Sequence, residues 1–358
     1  MPSPIPLTRL LPKDLYPSLD VGTCSSPLTS QPPHHGSTLQ VPPPPFAQRL
    51  HGRGSVRPWS SVIHWKALSA AVPVGSGGFG SVFRAQYLGD TVALKKVQQS
   101  RKNPLASRQS FWAELNAAHL RHRNIVRVLA ATACVPADLF EDGCIGTILM
   151  EFVGGANLQQ VIYACADPLG PDRWLRYAAD VARGLRFLHS HGVAHLDIKP
   201  ANVLVSAQDV CKIADFGCSL KLERGCEVTA TSPHLSHVGG TYTHRAPELL
   251  RGEPVSARAD VYSFGITLWQ LMTREPPFTG DRQCVIYAVV ARDLRPPVHE
   301  RPVFRSEPGR SCGTLLGRCW SGRARDRPST DELVPELEQL RAHLPSGVGG
   351  SADQDTGP

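Results

Sequence analysis

The chain contains 358 residues, with a mass of 38.9 kDa and a formal net charge of +7 at pH 7. This length suits one two-lobed domain with flanking segments and excludes a large multidomain protein. No run of five like charges occurs, and aromatic residues do not alternate with basic ones. The basic excess therefore predicts an ordinary solvated surface and does not indicate nucleic-acid binding.

Ten cysteines are spread irregularly from Cys24 to Cys319 and include no C-x-x-C pair. This pattern is typical of reduced thiols in a reducing compartment. No apolar run approaches the 18 residues of a membrane span, and residues 1–30 lack the apolar core of a secretory signal. We therefore expect a cytoplasmic, monomeric protein that does not enter a membrane.

Residues 1–58 are rich in proline, serine, glycine and histidine, with four consecutive prolines at 42–45. A segment of this composition is expected to be disordered, although a proline run is also able to dock as a polyproline II helix. Residues 342–358 form a second segment rich in glycine, serine and aspartate. The folded domain is therefore expected at 59–341.

Residues 75–80 read GSGGFG and lie between two strand-like stretches. Glycines at such positions let the backbone approach phosphate oxygens closely and adopt positive φ angles. The same spacing occurs at dinucleotide sites, where it opens a helix. Because a second strand pattern follows here, we expect a loop that covers nucleotide phosphates from a β-hairpin.

Lys95 follows the apolar run 92–94, so its ammonium is expected to point inward, although an exposed lysine at a strand end is the alternative. Between Lys95 and Asp138 the one acidic residue is Glu114, which lies in a helical pattern at 111–120. An unpaired buried ammonium is costly. The sequence therefore predicts a Lys95–Glu114 ion pair that docks this helix on the sheet.

Residues 195–217, HLDIKPANVLVSAQDVCKIADFG, predict two short paired strands with polar groups beside them. Asp197, Asn202 and Asp215 are expected to converge there. Carboxylate and amide oxygens are the ligands that Mg²⁺ prefers, and a remaining carboxylate is able to accept a hydroxyl proton. His195 is expected to pack on a neighbouring aromatic ring rather than to titrate.

These motifs, followed by Ala-Pro-Glu at 246–248, stand in the order that protein kinases require. The chain resembles the protein kinases over about residues 60–341. The resemblance implies an α+β, bilobal fold, with a small β-rich N-lobe at 59–153 and a larger α-helical C-lobe at 154–341.

The resemblance also implies that ATP and Mg²⁺ bind between the lobes, with Met150 at the back of the adenine pocket. The implied nucleotide-binding residues are Val74, Gly75, Ser76, Gly77, Gly78, Phe79, Gly80, Val82, Ala93, Lys95, Met150, Glu151, Val153, Asn157, Asn202, Leu204 and Asp215. The implied catalytic residues are Asp197, Lys199, Lys95 and Glu114, and the implied metal ligands are Asn202 and Asp215. The apolar members of this set are also plausible core residues.

Two pairings in the larger lobe follow from the same resemblance. A helix that opens at Asp260 is expected to anchor the catalytic loop, and Arg327 is expected to pair with Glu248. The residue between His195 and Asp197 departs from the usual pattern, because Leu196 stands where kinases switched by activation-loop phosphorylation carry arginine. An aliphatic side chain cannot pair with phosphate, so we expect no dependence on such phosphorylation. The alternative is that Lys221 or another basic residue takes the place of this arginine.

Three stretches narrow the resemblance to the Mos proto-oncogene kinases: the Met-Pro-Ser-Pro start, ASRQSFWAELN at 106–116 and GGTYTHR at 239–245. That family implies a serine/threonine kinase that phosphorylates MAP kinase kinase and controls oocyte meiotic maturation and metaphase II arrest. It also implies a link between the N-terminus, including Ser3, and ubiquitin-dependent degradation. The alternative is a pseudokinase scaffold, but such proteins usually lack a catalytic group, and none of those named above is missing.

Overall fold

The computed structural model describes residues 60, 62–77, 80–100, 103–133, 143–164, 169–222 and 242–344. The predictions for 1–58, for Gly78 and Phe79 in the glycine-rich loop, and for the tail from 345 onward lie outside the described residues. Within this part of the chain, no helix is long and apolar enough to cross a membrane.

The smaller lobe is built on a five-stranded antiparallel sheet with strand order β1-β2-β3-β5-β4. The strands are β1 (Leu68–Gly77), β2 (Gly80–Tyr87), β3 (Asp90–Gln98), β4 (Val128–Thr132) and β5 (Cys144–Glu151). The hairpin between β2 and β3 turns at Leu88 and Gly89, whose φ angles are 52° and 88°. Positive φ at both positions is what a two-residue hairpin turn requires.

Ser60 extends this sheet at its outer edge, next to β4. Its amide donates to Leu129 O at 3.0 Å, and its carbonyl accepts from Ala131 N at 3.1 Å. The bridge that Ser60 forms with Ala130 is parallel. The chain therefore enters the described fold along the edge strand of the smaller lobe.

Helix α1 (Pro104–Ala117) packs on the sheet and confirms the helix predicted from residues 111–120. It begins earlier than the apolar pattern indicated, because the Asn103 side chain accepts from Ala106 N at 3.0 Å and Pro104 occupies the first turn. Phe111 is buried against Gly146, where an added Cβ would lie 2.4 Å from its ring. This contact fixes the face of α1 that turns toward β5.

The larger lobe is mainly helical. Its helices are α2 (Leu158–Ala164), α3 (Pro171–Ser190), α4 (Pro247–Arg251), α5 (Arg258–Thr273), α6 (Arg282–Ala291), α7 (Glu307–Cys319) and α8 (Thr330–Ala342). Its short strands are β6 (Val193–Ala194), β7 (Val203–Val205), β8 (Cys211–Ile213) and β9 (Leu220–Lys221), paired as β6 with β9 and β7 with β8. The predicted α+β, bilobal fold is confirmed.

The two lobes differ in their cores. Helix α5 is buried along nearly its whole length, and one continuous apolar cluster surrounds it, with Trp174, Leu185 and Trp269 among its members. The sheet of the smaller lobe has two separate and smaller clusters. The larger lobe therefore supplies the rigid base on which the loops of the site are mounted.

Candidate active site

The backbone of the loop between β6 and β7 is held in place by one buried carboxylate on α5, that of Asp260. Asp260 Oδ2 accepts from His195 N at 2.8 Å, and Oδ1 accepts from Leu196 N at 2.7 Å. The His189 Nε2 atom lies 2.8 Å from Oδ2. Burial alone would raise the pKa of Asp260, but these donors hold it below its usual value. The predicted anchoring role of the α5 helix is confirmed.

Leu196 adopts a left-handed backbone conformation in this loop, with a φ of 61°. Such a conformation costs about 1–2 kcal/mol for a side chain with a Cβ atom. The side chain itself is buried, at 2% exposure. The Leu196 side chain therefore packs in the hydrophobic core and is not available to a phosphate group on the activation loop.

Asp197 is held in place by two donors that reach the same oxygen. Its Oδ2 accepts from Lys199 Nζ at 2.6 Å and from Asn202 Nδ2 at 2.8 Å. Asn202 Nδ2 also donates to the Asp197 carbonyl at 2.9 Å. With its nitrogen committed twice, the Asn202 amide presents its oxygen as the remaining polar group. These contacts bring together three of the side chains that the sequence assigned to one site.

Lys95 joins the two lobes through two carboxylates. Its Nζ contacts Glu114 Oε1 on α1 and lies 2.8 Å from Asp215 Oδ1. The predicted Lys95–Glu114 pair is confirmed, and the second contact was not foreseen. Burial lowers the pKa of Lys95, but the two carboxylates outweigh it and raise the pKa above its usual value.

The pKa values of the two carboxylates that share Lys95 shift in opposite directions. Burial raises the pKa of Asp215, but the nearby Lys95 ammonium reverses this and brings it to about 2. Burial raises the pKa of Glu114 to about 7, because the attraction of Lys95 is partly offset by Asp215. Asp215 is thus the firmly ionised member, and its side chain is 35% exposed. It is available to a cation or ligand in the cleft.

The cleft between the lobes encloses about 480 Å³. Predicted nucleotide-binding residues that line it are Val74, Gly75, Ser76, Gly80, Val82, Ala93, Lys95, Met150, Glu151, Val153, Asn157, Asn202, Leu204 and Asp215, together with Glu114. Gly77 lies at the end of β1. Asp197 and Lys199 are not lining residues, but Asn202 lines the cleft and donates to Asp197.

The Glu151 carboxylate is committed to two donors from other segments of the chain. Glu151 Oε1 accepts from Lys212 Nζ and from Arg127 N, both at 2.8 Å. The carboxylate is therefore not available for contacts inside the cleft. The sequence argument did not predict these two contacts.

Several lining residues were not identified from the sequence: Val126, Gly154, Gly155, Ala156, Gln160, Ala201, Val205 and Ala214. Gly155 had a local signal, since it is the second of two consecutive glycines shortly after β5. Its φ is 117°, and an added Cβ would lie 2.5 Å from Val205 O. Ala214 had another, because it directly precedes Asp215. Most of the others present little more than backbone or a small apolar group.

Gly80 has the positive φ that the sequence argument allowed for the loop glycines, and it also lies close to a neighbouring strand. In the structure the φ of Gly80 is 141°, and an added Cβ would lie 1.8 Å from Lys96 O on β3. Gly75, in contrast, has nothing within 4 Å of that position. Packing of the hairpin on itself therefore explains Gly80 before any ligand is considered.

Two further predicted contacts support the site. The His195 ring packs edge-on against Phe216, with centroids 5.1 Å apart, and His195 Nε2 lies 3.1 Å from Ala214 O. Arg327 holds Glu248 with two hydrogen bonds of 2.6 and 2.8 Å. Both predictions are confirmed.

The donor set fits a hard divalent cation held jointly with phosphate. Asp215 supplies a carboxylate and Asn202 an amide oxygen, both on the wall of the cleft. In the described part of the chain, no group of three histidine, cysteine or acidic residues forms a metal cage. Two protein ligands completed by phosphate and water are typical of Mg²⁺ sites.

A family model for the protein kinase domain matches residues 69–337. The serine/threonine-protein kinase mos of Xenopus laevis is 53% identical over 366 residues, covering 100% of this chain and 98% of the relative. The kinase of the same name from Gallus gallus is 46% identical, covering 96% of this chain and 100% of the relative. The proto-oncogene serine/threonine-protein kinase mos of Mus musculus is 47% identical, with the same coverage.

The fold, the cleft and the family model together define a protein kinase. Such an enzyme uses ATP and a divalent metal ion and acts on protein substrates. The chain belongs to the Mos family of serine/threonine-protein kinases. The pseudokinase alternative is not supported, since the relatives carry the name of active kinases.

Proposed function

We propose that this kinase transfers the γ-phosphoryl group of Mg²⁺-bound ATP to serine residues of a MAP kinase kinase in the cytoplasm of oocytes, and so controls meiotic maturation and metaphase II arrest. The catalytic part of this proposal rests on the hydrogen bond that Asn202 donates to Asp197. It couples the proposed proton acceptor to the wall of the nucleotide cleft at 2.8 Å. The MAP kinase kinase part rests on the family resemblance.

Asp197 orients the substrate hydroxyl and accepts its proton in this proposal. Because Lys199 and Asn202 both reach Oδ2, the other carboxylate oxygen, Oδ1, is the one positioned to take that proton. The serine oxygen forms the new bond to phosphorus as the bond to the ADP oxygen breaks. Lys199, bound to Asp197, is close enough to neutralise charge on the transferred group.

Lys95 contacts the α- and β-phosphates, and Glu114 holds its ammonium in place. Asn202 and Asp215 hold Mg²⁺, which when bound neutralises charge on the phosphates. Val74, Val82, Ala93 and Leu204 form apolar faces for the adenine, next to Met150 and the backbone of Glu151 and Val153, and Asn157 meets the ribose. Ser76 and the glycines from 75 to 80, with Phe79, cover the phosphates. Rate enhancement then comes mainly from positioning and charge neutralisation.

The direct test is a phosphotransfer assay with purified recombinant protein, ATP, MgCl₂ and a catalytically inactive MAP kinase kinase, read by mass spectrometry of the substrate. We expect phosphoserine on the substrate, formed at least about 100-fold more slowly with the Asp197→Asn variant. Phosphorylation of a generic serine peptide without any on MAP kinase kinase would reject the proposed substrate but leave the kinase intact. Replacing Mg²⁺ by other divalent ions in the same assay tests the choice of metal.

We also propose that residues 59–341 are the minimal catalytic domain, divided between lobes after residue 153, and that the protein acts as a monomer. A fragment of those residues should retain the turnover of the full chain and elute as a monomer in size-exclusion chromatography. A dimer, or a fragment that loses activity while remaining folded, would reject this boundary or state.

The N-terminal segment is proposed to control abundance through ubiquitin-dependent degradation. A Ser-Pro pair at Ser3 and Pro4 is a possible phosphorylation site next to Pro2, the residue exposed when Met1 is removed. Ser3→Ala and Ser3→Glu proteins should therefore differ in cellular half-life, measured after blocking protein synthesis. Equal half-lives would reject this control.

A further inference from the structure

Helix α1 lies against the segment that begins at Asp215. The turn Phe216–Cys218 packs on this helix. Just beyond the turn, Ser219 Oγ donates to the Ala113 carbonyl of α1 at 3.4 Å. Asp215 itself shares the Lys95 ammonium with a carboxylate of the same helix. The segment is therefore tied to α1 at both of its ends.

Between these ends, α1 and the segment approach each other closely at Ser110 and Gly217. A Cβ atom added to Gly217 would lie 2.3 Å from Ser110 Oγ, which is shorter than real contacts of such atoms. The next nearest atoms, Asp215 Oδ1 and Ser110 Cβ, would lie at the ordinary contact distances of 3.4 and 3.5 Å. The φ of Gly217 is outside the left-handed region, so its backbone would accept a side chain. A single hydroxyl group therefore fills the space between the helix and the segment.

Ser110 lies on the face of α1 that also carries Glu114. The two residues are four positions apart, about one helical turn, and both are buried. Because Ser110 is only 3% exposed, its hydroxyl has no open solvent to turn into. Asp215 lies two positions before Gly217. The Ser110–Gly217 contact and the contact of Glu114 and Asp215 through Lys95 thus lie side by side and join the same two elements.

We propose that Ser110 is a positioning residue for phosphoryl transfer: its hydroxyl sets how closely α1 approaches the segment 215–219, and thereby where Lys95 and Asp215 lie in the nucleotide cleft. This inference rests on the proposed roles of Lys95 and Asp215. A larger group on either side of the contact forces the helix and the segment apart, because packed interiors have no spare volume. The Lys95 ammonium then no longer reaches both carboxylates. A displacement of about 1 Å is enough to lower an enzymatic rate by about 10²-fold.

The experiment is a double-variant test with full-length enzyme, ATP, MgCl₂ and one fixed protein substrate. Gly217→Ala should lower kcat/KM for ATP by at least about 30-fold, while KM for the protein substrate stays within about twofold. Ser110→Ala alone should lower kcat/KM by about two- to fivefold, because the helix is free to shift into the space that the hydroxyl leaves. Since Ser110→Ala removes the atom that the new methyl group meets, the double variant should return to within about fivefold of the wild type.

Ser107→Ala offers a matched control. Ser107 is also a buried serine of α1, but its hydroxyl accepts from Ser100 N at 3.0 Å and is not among the atoms nearest to Gly217. Added to Gly217→Ala, this substitution should restore no activity. Ser110→Val enlarges the same contact from the side of the helix and should also lower kcat/KM for ATP by at least about 30-fold. The test therefore does not depend on the folding of one variant.

A second measurement needs neither nucleotide nor metal. In the ligand-free protein, the backbone amides of α1 should exchange hydrogen faster in Gly217→Ala than in the wild type. Adding Ser110→Ala should return this exchange toward the wild-type rate. Exchange in α5, which lies in the core of the larger lobe, should be the same in all variants. A change confined to α1 separates displacement of this helix from a general loss of stability.

Wild-type kinetics in Gly217→Ala or Ser110→Val would overturn the inference. So would a loss in Gly217→Ala that Ser110→Ala does not relieve, or that Ser107→Ala relieves equally. Unchanged exchange in α1 of an impaired Gly217→Ala enzyme would also overturn it. If MAP kinase kinase is not phosphorylated, the proposed substrate fails, but the ratios between variants on another protein substrate still test Ser110. The two failures are therefore distinguishable.

Discussion

The two lobes each contain a buried ion pair, and the pairs are built differently. In the larger lobe the Arg327 guanidinium donates twice to Glu248 and also to the carbonyls of Ser321 and Arg258. In the smaller lobe the Lys95 ammonium is shared between Glu114 and Asp215, one of which is open to the cleft. The first pair is complete without a ligand. The second lines the cleft in which we propose that phosphate and metal bind.

This difference separates what holds the fold from what performs the chemistry. A buried guanidinium that donates four hydrogen bonds to protein acceptors contributes to stability only while those partners remain. A shared ammonium beside a carboxylate that lines the cleft is able to contact a ligand there. Changes at the first pair should therefore lower stability, and changes around the second should lower activity.

The largest expected effect is on turnover, from Asp197→Asn. We expect a loss of roughly 10²–10⁴ in kcat with nearly unchanged ATP affinity and melting temperature, because an amide retains the shape but cannot accept the proton. Steady-state kinetics and nucleotide titration measure the two quantities. Full activity in this variant would remove Asp197 from the proposed mechanism.

Breaking the larger-lobe pair from one side should cost about 3–5 kcal/mol in the free energy of unfolding, because Arg327→Met leaves the buried Glu248 carboxylate unpaired. Urea unfolding measures this loss. The double variant Arg327→Met, Glu248→Leu should recover part of it. A single variant as stable as the wild type would contradict the comparison of the two pairs.

Glu114→Gln should have the opposite profile. The amide keeps a hydrogen bond to Lys95 but loses the charge that positions the ammonium, so we expect kcat/KM for ATP to fall by roughly 10- to 100-fold. Stability should change by less than about 1 kcal/mol, because burial already opposes ionisation of this carboxyl. A large loss of stability with intact kinetics would make this pair structural as well.

A smaller effect is expected from pH. Burial lowers the pKa of His244 to about 4, whereas in the unfolded chain it returns to about 6.5. Between these values the unfolded chain binds a proton that the folded protein does not, so stability falls as pH falls. From pH 7 to pH 5 the loss from this group is about 2 kcal/mol.

The difference in pH dependence between wild type and His244→Gln isolates this contribution, since all other titrating groups are common to both. The glutamine amide is able to donate to Gln270 in place of the ring. Identical pH profiles of the unfolding free energy would mean that His244 titrates normally.

The smallest effect is expected from removing activation-loop phosphate. Because Leu196 is buried and cannot pair with phosphate, phosphatase-treated enzyme should keep most of its activity toward MAP kinase kinase. The candidate acceptors Thr229, Thr231, Ser232 and Ser236 lie outside the described residues. A fall of tenfold or more, about 1.4 kcal/mol in the barrier, reversed by rephosphorylation, would contradict the prediction.

Local patterns predicted much of the fold because each motif has its own sequence signal. The strand pair at β7 and β8, the helix at α1 and the Lys95–Glu114 contact all follow from apolar spacing and from the scarcity of acidic residues. Helix α1 begins at Pro104, ahead of the predicted pattern at 111–120, because proline is favoured in the first turn.

What could not be predicted depends on contacts between distant segments. The second carboxylate on Lys95, Asp215, lies 120 positions away in sequence. The close approach of Gly80 to the Lys96 carbonyl depends on hairpin register, and lining by Ala201 leaves no chemical signature. Backbone and small side chains shape a cavity through their placement, which composition does not encode.

The edge bridge at Ser60 has a mechanical consequence. A pulling force applied to the N-terminal segment is borne first by the two hydrogen bonds that join Ser60 to Leu129 and Ala131. Once these bonds break, the load passes along the chain to β1, the other edge strand of the same sheet, whose Val74, Gly75 and Ser76 line the cleft. Traction on the N-terminus would then dismantle the nucleotide cleft before it reached the large helical core, and the enzyme would be silenced at the first step of its destruction.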